Sequence, residues 1–170
     1  MSLTRAYNSR SNQTGVFGYG WQSVLDARLY VPTKGPARFI EGDGTVHYFA
    51  QETNGSYDSP PGLFLTLHSN SSTDDVTLPN GTIYTFSKST HRFTKITSSG
   101  GNTLTYNYSG NQLQTIEDGA SQKVTFSYNT DGTVNTVTDP AGRTWTYHYS
   151  NGNLTSVVAP DGKTTTYRYD

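Results

Sequence analysis

The residues that could do chemistry in this sequence are scattered acidic side chains. Most of the thirteen Asp and Glu residues stand beside Gly, Pro or Asn, where a short carboxylate commonly accepts hydrogen bonds from its own backbone and closes a turn. Two adjacent pairs, Asp74-Asp75 and Glu117-Asp118, could bind Ca²⁺, but neither stands in an alternating acidic loop with its central Gly. The carboxylates therefore predict turns, and no pair is nominated for glycoside hydrolysis.

The histidines and the potential nucleophiles also give no sign of a catalytic or metal-binding site. The four histidines are dispersed without the spacing of metal ligands, and the sequence contains neither Cys nor a Gly-x-Ser-x-Gly motif: His47, His68, His91 and His148. Two of them, His47 and His148, fall on predicted polar strand faces. We therefore predict a non-enzymatic protein with no catalytic residue, no metal site and no cofactor.

A glycine-rich stretch near the N-terminus has two readings. Gly18-Tyr19-Gly20-Trp21 could be a phosphate-binding loop, which requires a strand before it and a helix after it. The residues that follow, Ser23 to Leu29, alternate like a strand instead. The pattern therefore favours a turn made by Gly18 and Gly20 in front of Trp21.

The strongest pattern is a recurring pair of aromatic residues. The second members of four pairs are separated by 20, 21 and 20 residues, and a degenerate pair precedes them by 22: Tyr84-Phe86, Tyr106-Tyr108, Phe126-Tyr128, Tyr147-Tyr149 and Tyr167-Tyr169. A fixed period of this size is typical of repeat proteins, in which each unit buries its apolar face against its neighbours. Aliphatic residues keep the same period: Leu113, Ile116, Val134, Val137, Leu154 and Val157.

Each repeat is predicted to be a β-hairpin. In the unit that begins at Gly142, the aromatic residues Trp145, Tyr147 and Tyr149 alternate with polar ones, so the aromatic face is expected to be buried. An Asn-Gly step, Asn151-Gly152, supplies the tight turn. Proline-containing turns that end at Gly142 and Gly162 lead into the next unit.

These motifs resemble the Rhs/YD-repeat family. The aromatic-x-Tyr-Asp signature is complete at Tyr167 to Asp170, and Gly152-Asn153-Leu154 and Asp139-Pro140-Ala141-Gly142 match the rest of the repeat. The other repeats have Ser or Asn in place of this Asp. These small polar residues also favour a turn, so the position is interpreted as a turn residue and not as a catalytic one. Gly18, Gly20 and Trp21 resemble the segment that precedes the repeats in this family.

Composition limits the function further. The chain has 170 residues, of which 32% are hydrophobic and 15% charged, with a net charge of -1. The twelve Lys and Arg are scattered, whereas a nucleic-acid-binding protein normally carries a basic excess or stripe. No stretch is long and apolar enough to predict a membrane span. We expect the chain to be a segment of a larger protein.

The sequence as a whole predicts an all-β protein of antiparallel hairpins that form a twisted ribbon. Residues 1–78 are predicted as a pre-repeat β region and residues 79–170 as the repeats, in one continuous structural unit. Within the first region we expect a hairpin of residues 37–40 and 46–50 around Asp43-Gly44, a strand over residues 63–67 and a flexible loop over residues 70–75.

The resemblance implies a structural role: part of a secreted or cell-surface bacterial β-shell that encloses or displays a C-terminal toxin or effector domain. Its partners would then be neighbouring repeats and that cargo domain. An alternative is a carbohydrate-binding or adhesin module that uses exposed aromatic residues, and a hydrolase is a weaker third reading. We also expect this segment to self-associate, because a strand edge or sheet face that lacks a neighbour pairs readily with another chain.

Overall fold

The computed structural model of the protein describes residues 3–169, and it is built almost entirely from antiparallel β-strands. A single 3₁₀ turn, Val24–Asp26, is the one helical element among the described residues. The all-β prediction is therefore confirmed. The strands are β1 Arg5–Tyr7, β2 Thr14–Gly15, β3 Gly18–Tyr19, β4 Trp21–Ser23, β5 Arg28–Tyr30, β6 Ala37–Ile40, β7 Val46–Gln51, β8 Tyr57–Asp58, β9 Thr66–Ser69, β10 Thr73–Thr77, β11 Ile83–Ser87, β12 Phe93–Thr97, β13 Thr103–Ser109, β14 Gln112–Asp118, β15 Lys123–Tyr128, β16 Val134–Thr138, β17 Thr144–Ser150, β18 Asn153–Val158 and β19 Thr164–Thr166.

The chain forms two compact units. The first joins the segment that ends at Ser23 to the segment that begins at Tyr106, and the second is Val24–Thr105. In the first unit, β13 to β19 are hydrogen-bonded in chain order, β1 pairs with β4, and β2 pairs with β3. In the second unit, β5 to β8 form a four-stranded sheet, and β9 to β12 pair in chain order with the start of β13.

The repeats of the first unit pack by a shared rule. The first aromatic of each pair lies opposite an aliphatic residue of the return strand, as in Phe126 with Val137 and Tyr147 with Val157. The second aromatic follows a register shift, so that a β-bulge recurs in β15 and β17. Bulges increase local strand twist, so these two strands share the same kind of local distortion at the same repeat position.

Burial follows the predicted period. The aliphatic residues named for that period are all buried in the first unit, together with three first aromatics: Tyr106, Leu113, Ile116, Phe126, Val134, Val137, Tyr147, Leu154 and Val157. The second unit has its own core around Leu29, Phe39, Phe49, Phe86 and Phe93. Each unit therefore buries a distinct apolar face.

Trp145 differs from the expectation that the whole aromatic face of its strand is buried. Tyr147 is buried, whereas Trp145 and Tyr149 are half-buried. Trp145 lies near the start of β17, close to the turn that ends at Gly142, and is paired with Val137 of β16. The core position of this strand is Tyr147.

Three local predictions in the pre-repeat region are wrong. Residues 63–65 are not part of a strand, because Phe64 has φ 53°, and β9 begins only at Thr66. Residues 73–75 are strand rather than flexible loop, since Asp74 is buried and accepts a hydrogen bond from the Ser69 hydroxyl at 2.6 Å. Residues 23–29 are interrupted by the 3₁₀ turn.

Candidate functional site

The repeated turns are the first group of polar residues that the structure brings into register. Five aspartates close turns of this kind, as their neighbours in the sequence predicted. In each, the side-chain carboxylate accepts a hydrogen bond from the backbone N–H two residues further along the chain: Asp43, Asp118, Asp131, Asp139 and Asp161. A residue with positive φ completes the turn, including Gly142 at 79° and Gly162 at 81°. Ser121, at 61°, takes the corresponding place in the turn of Asp118.

Hydrogen bonds lower the pKa values of the turn carboxylates Asp131, Asp139 and Asp161. The Arg143 side chain, 2.7 Å from Asp139, is the main cause for Asp139, with backbone N–H donors in support. The Thr133 hydroxyl is the main cause for Asp131, and the Lys163 side chain is the main cause for Asp161. Because the ionised form accepts all of these bonds, the turns are built around charged carboxylates.

In two repeats, the second tyrosine joins two hairpins through its hydroxyl. Tyr128 donates to the Leu113 carbonyl at 2.8 Å, and Tyr169 donates to the Leu154 carbonyl, in both cases fifteen residues back along the chain. The equal spacing places each tyrosine over the return strand of the preceding hairpin. These hydroxyls therefore fix the offset between successive hairpins, a role that the sequence pattern did not indicate.

The second tyrosine of another repeat, Tyr149, does not form such a bond with any described residue. Its ring lies against the N-terminal segment, where a Cβ on Gly18 would be 3.1 Å from ring atom Cε1. Its hydroxyl is buried and has no hydrogen-bond partner among the described residues. Burial raises the pKa of Tyr149, and burial likewise raises the pKa of Tyr147.

The N-terminal segment packs on the aromatic residues of the last two repeats, within the first unit. Phe17 stacks on Tyr147 with ring centroids 5.4 Å apart, and Trp21 meets Tyr167 edge-on at 4.8 Å. The indole N–H of Trp21 also donates to the Tyr169 hydroxyl at 2.9 Å. These contacts give the N-terminal tryptophan a packing role.

Arg5 lies at the centre of this aromatic cluster. Its guanidinium is 5.4 to 5.9 Å from the ring centroids of Tyr147, Trp21 and Phe17, and it donates to the Tyr167 hydroxyl at 2.8 Å. Cation–π contacts of this kind stabilise a cluster most when the cation is partly removed from water. The role of Arg5 could not be predicted from the sequence, because a lone Arg in a short N-terminal strand carries no recognisable spacing.

The two glycines of the N-terminal segment allow its close approach. Gly18 has φ 107°, and an added Cβ would be 3.0 Å from the Gly152 carbonyl oxygen. Gly20 has φ 73°, and an added Cβ would be 2.6 Å from a ring carbon of Tyr7. In the structure, this stretch packs closely on the backbone of Gly152 and on the ring of Tyr7.

The remaining predicted repeat positions lie as follows. Tyr84 meets Phe93 edge-on at 5.1 Å and Phe86 meets Phe93 at 5.2 Å, inside the second unit. Tyr108 is half-buried in β13. Asp170, the signature aspartate, lies outside the described residues. Among residues 3–169, no group of three metal-ligating side chains comes together, and no helix is long and apolar enough to cross a membrane.

Comparison with known proteins identifies two matching families. The family model described as the Teneurin YD-shell matches residues 54–170, and a family model described as a domain of unknown function, DUF6531, matches residues 1–49. Among curated proteins, the tRNA nuclease WapA of Bacillus subtilis strain 168 and the tRNA3(Ser)-specific nuclease WapA of Bacillus spizizenii are each 34% identical over 67 residues. That alignment covers 39% of this chain and 3% of each relative.

Proposed function

Because the chain belongs to the Teneurin YD-shell family and has the character of an Rhs/YD-repeat segment, we propose that it is a structural part of a bacterial shell protein that encloses or displays a C-terminal toxin or effector domain. The observation that carries this proposal is the repeated hairpin, with a buried aliphatic and aromatic face and, in two repeats, a tyrosine hydroxyl bond to the preceding hairpin. Such units extend a sheet by addition, which is what a shell wall requires.

The non-enzymatic part of the proposal has a direct test. Two of the relatives are named as tRNA nucleases, but the alignment covers only 3% of their length, so the named activity is not transferred to this chain. We expect the purified 170-residue chain to leave tRNA intact under conditions in which a ribonuclease control degrades it. Cleavage that coelutes with the protein through two chromatographic steps would contradict a purely structural role.

The enclosing role is tested in the larger protein. If the repeats surround a downstream domain, limited proteolysis should spare that domain while the shell is folded. Leu154→Ala should weaken a fully buried position of the wall and expose the downstream domain to protease at a lower urea concentration. A matched change at an exposed position, Thr125→Ala, should leave the protection unchanged. Equal protease sensitivity in all three proteins would count against enclosure.

The proposal extends to location and assembly. We place the parent protein outside the cell or at its surface, as its resemblance to Rhs and wall-associated YD proteins implies. The proposed partners are neighbouring repeats and the C-terminal cargo domain, and residues 1–78 and 79–170 are proposed as the pre-repeat and repeat parts of one continuous structural unit. Self-association through a free strand edge belongs to the same proposal.

A second candidate function is the carbohydrate-binding module. One specific observation favours it: Tyr48 is 58% exposed on the outer face of a sheet, beside an arginine that stacks on a second tyrosine. This role concerns a different surface from the repeat wall, so both roles are compatible in one protein.

A further inference from the structure

The second unit has a shallow depression of about 380 Å³ on the outer face of its four-stranded sheet. Its lining includes aromatic, proline and cationic residues, and no acidic residue contributes to it: Tyr30, Pro32, Pro36, Arg38, Tyr48 and His91. The repeat pattern does not involve these positions. The depression therefore requires a separate explanation.

The central residues of the depression lie in a row across three strands. Tyr30 of β5 pairs with Arg38 of β6, and Arg38 pairs with Tyr48 of β7. Directly paired residues in an antiparallel sheet point to the same face. The Arg38 guanidinium lies 4.8 Å from the ring centroid of Tyr30, so stacking limits its position.

His91 extends the row on the far side of Tyr30. The two ring centroids are 4.4 Å apart, and the planes are tilted by 34°. The backbone of His91 has φ 57°, which is uncommon for a bulky residue, and hydrogen bonds to Ser87 and Leu29 hold it there. Backbone strain of this kind persists where the surroundings fix a side chain in one place.

The positive charge of Arg38 in the depression has no ion-pair partner among residues 3–169. The Arg38 guanidinium stacks on the Tyr30 ring, and no hydrogen bond or ion pair joins it to another described residue. A planar guanidinium with free N–H groups binds a carboxylate through two parallel hydrogen bonds. The exposed ring of Tyr48 beside it offers a flat apolar surface, on which the C–H face of a sugar ring packs.

We propose that this depression binds an acidic saccharide, with the carboxylate of a uronic acid residue on Arg38 and a sugar ring against Tyr48. The two prolines, Pro32 and Pro36, add rigid apolar surface to the lining of the site. This inference rests on the carbohydrate-binding alternative above and does not depend on the shell role. If the saccharide proposal fails, the proposed shell role is unaffected. If the shell role fails, the saccharide proposal is likewise unaffected.

The test is a titration of the full 170-residue chain, isotopically labelled, with trigalacturonate and with its uncharged counterpart galactotriose. We expect amide signals of Arg38, Tyr48 and His91 to shift with trigalacturonate and to respond much less to galactotriose. Binding should weaken as salt is added, because the proposed contact is an ion pair at the surface. Equal binding of the two trisaccharides, or no binding of trigalacturonate at millimolar concentration, would overturn the proposal.

Variants locate the site. Arg38→Gln should weaken trigalacturonate binding by about tenfold or more, since it removes the charge-assisted pair. Tyr48→Ala should weaken the binding of both trisaccharides by about fivefold or more. The matched control Lys95→Gln removes an exposed cation of the same unit away from the depression and should leave binding unchanged. Circular dichroism confirms that each variant is folded before it is titrated.

A parallel titration with a peptide distinguishes a saccharide ligand from a proline-rich protein segment. Proline-rich peptides also bind to surfaces lined by aromatic residues and proline. An acidic proline-rich peptide with the same net charge as trigalacturonate is therefore titrated in parallel. Tighter binding of this peptide, with the same dependence on Arg38, would assign the depression to a protein partner and overturn the saccharide proposal.

Discussion

At the scale of single residues, Ser121 occupies a turn position that favours glycine. It has φ 61°, whereas the corresponding residues of two other repeat turns are Gly142 and Gly162. The left-handed region costs a residue with a Cβ about 1–2 kcal/mol. Part of that cost is offset because glycine gains more freedom in the unfolded chain, about 0.4–1 kcal/mol.

We therefore expect Ser121→Gly to raise the free energy of unfolding by up to about 1 kcal/mol. Urea denaturation followed by circular dichroism measures the change. The reciprocal control, Gly142→Ser, introduces the same strain where the native turn avoids it and should lower the free energy of unfolding. If both variants shift the midpoint in the same direction, backbone strain is not what distinguishes the two turns.

The tyrosine hydroxyls supply a matched pair of substitutions. Tyr128→Phe removes the hydrogen bond to the Leu113 carbonyl and should lower the free energy of unfolding by about 1 kcal/mol. Tyr149→Phe removes a buried hydroxyl that has no partner among the described residues, so it should leave stability unchanged or raise it. Thermal and urea unfolding of both variants test the contrast. An equal loss in the two proteins would mean that the hydroxyl bond does not stabilise the hairpin offset.

At the scale of elements, the N-terminal segment and the repeats share one tight contact at Gly18. Gly18→Ala adds a Cβ 3.0 Å from the Gly152 carbonyl oxygen to a backbone with φ 107°, so we expect a loss of about 1–3 kcal/mol. Gly142→Ala is the control, because its φ is also positive and nothing lies within 4 Å of the added Cβ. Denaturation followed by tryptophan fluorescence should show the larger loss for Gly18→Ala. If both variants lose a similar amount of stability, the positive φ and not the close contact with Gly152 determines the cost at Gly18.

The repeat turns should make stability depend on pH. The folded pKa of Asp139 is lowered mainly by the Arg143 side chain, so its contribution is present above the unfolded pKa of about 3.9 and is lost as pH falls through the folded value. The melting temperature should therefore fall on acidification below about pH 4. Asp139→Asn and Arg143→Gln should each make that fall smaller. An unchanged acid dependence in both variants would show that this turn does not contribute to it.

The sequence predicted the hairpins because their period is strict and the turn residues recur. It also predicted which aliphatic positions are buried. It did not predict that Phe17 and Trp21 pack on Tyr147 and Tyr167, because contacts between distant segments leave no period in one sequence. The depression around Arg38 was missed for a related reason, since its residues come together through strand pairing and one strained loop position.

At the scale of the whole molecule, we propose that copies of the chain associate through the edge of β19. β19 pairs with β18 on one side, and no strand of the described residues pairs with its other side. Its three threonines are exposed, and the strand carries no charge that would discourage another strand from adding to it. The net charge of -1 gives little long-range repulsion between copies.

We therefore expect the 18.7 kDa chain to self-associate, with an average mass in light scattering that rises with protein concentration. Thr165→Lys places a charge on the free edge and should reduce this association. Thr125→Lys makes the same change on an exposed position of β15, which has strands on both sides, and should have little effect. A wild-type chain that stays monomeric at high concentration would contradict self-association. If both lysine variants reduce association equally, the β19 edge is not the contact that joins the copies, and the contact would have to involve apolar surface elsewhere on the chain.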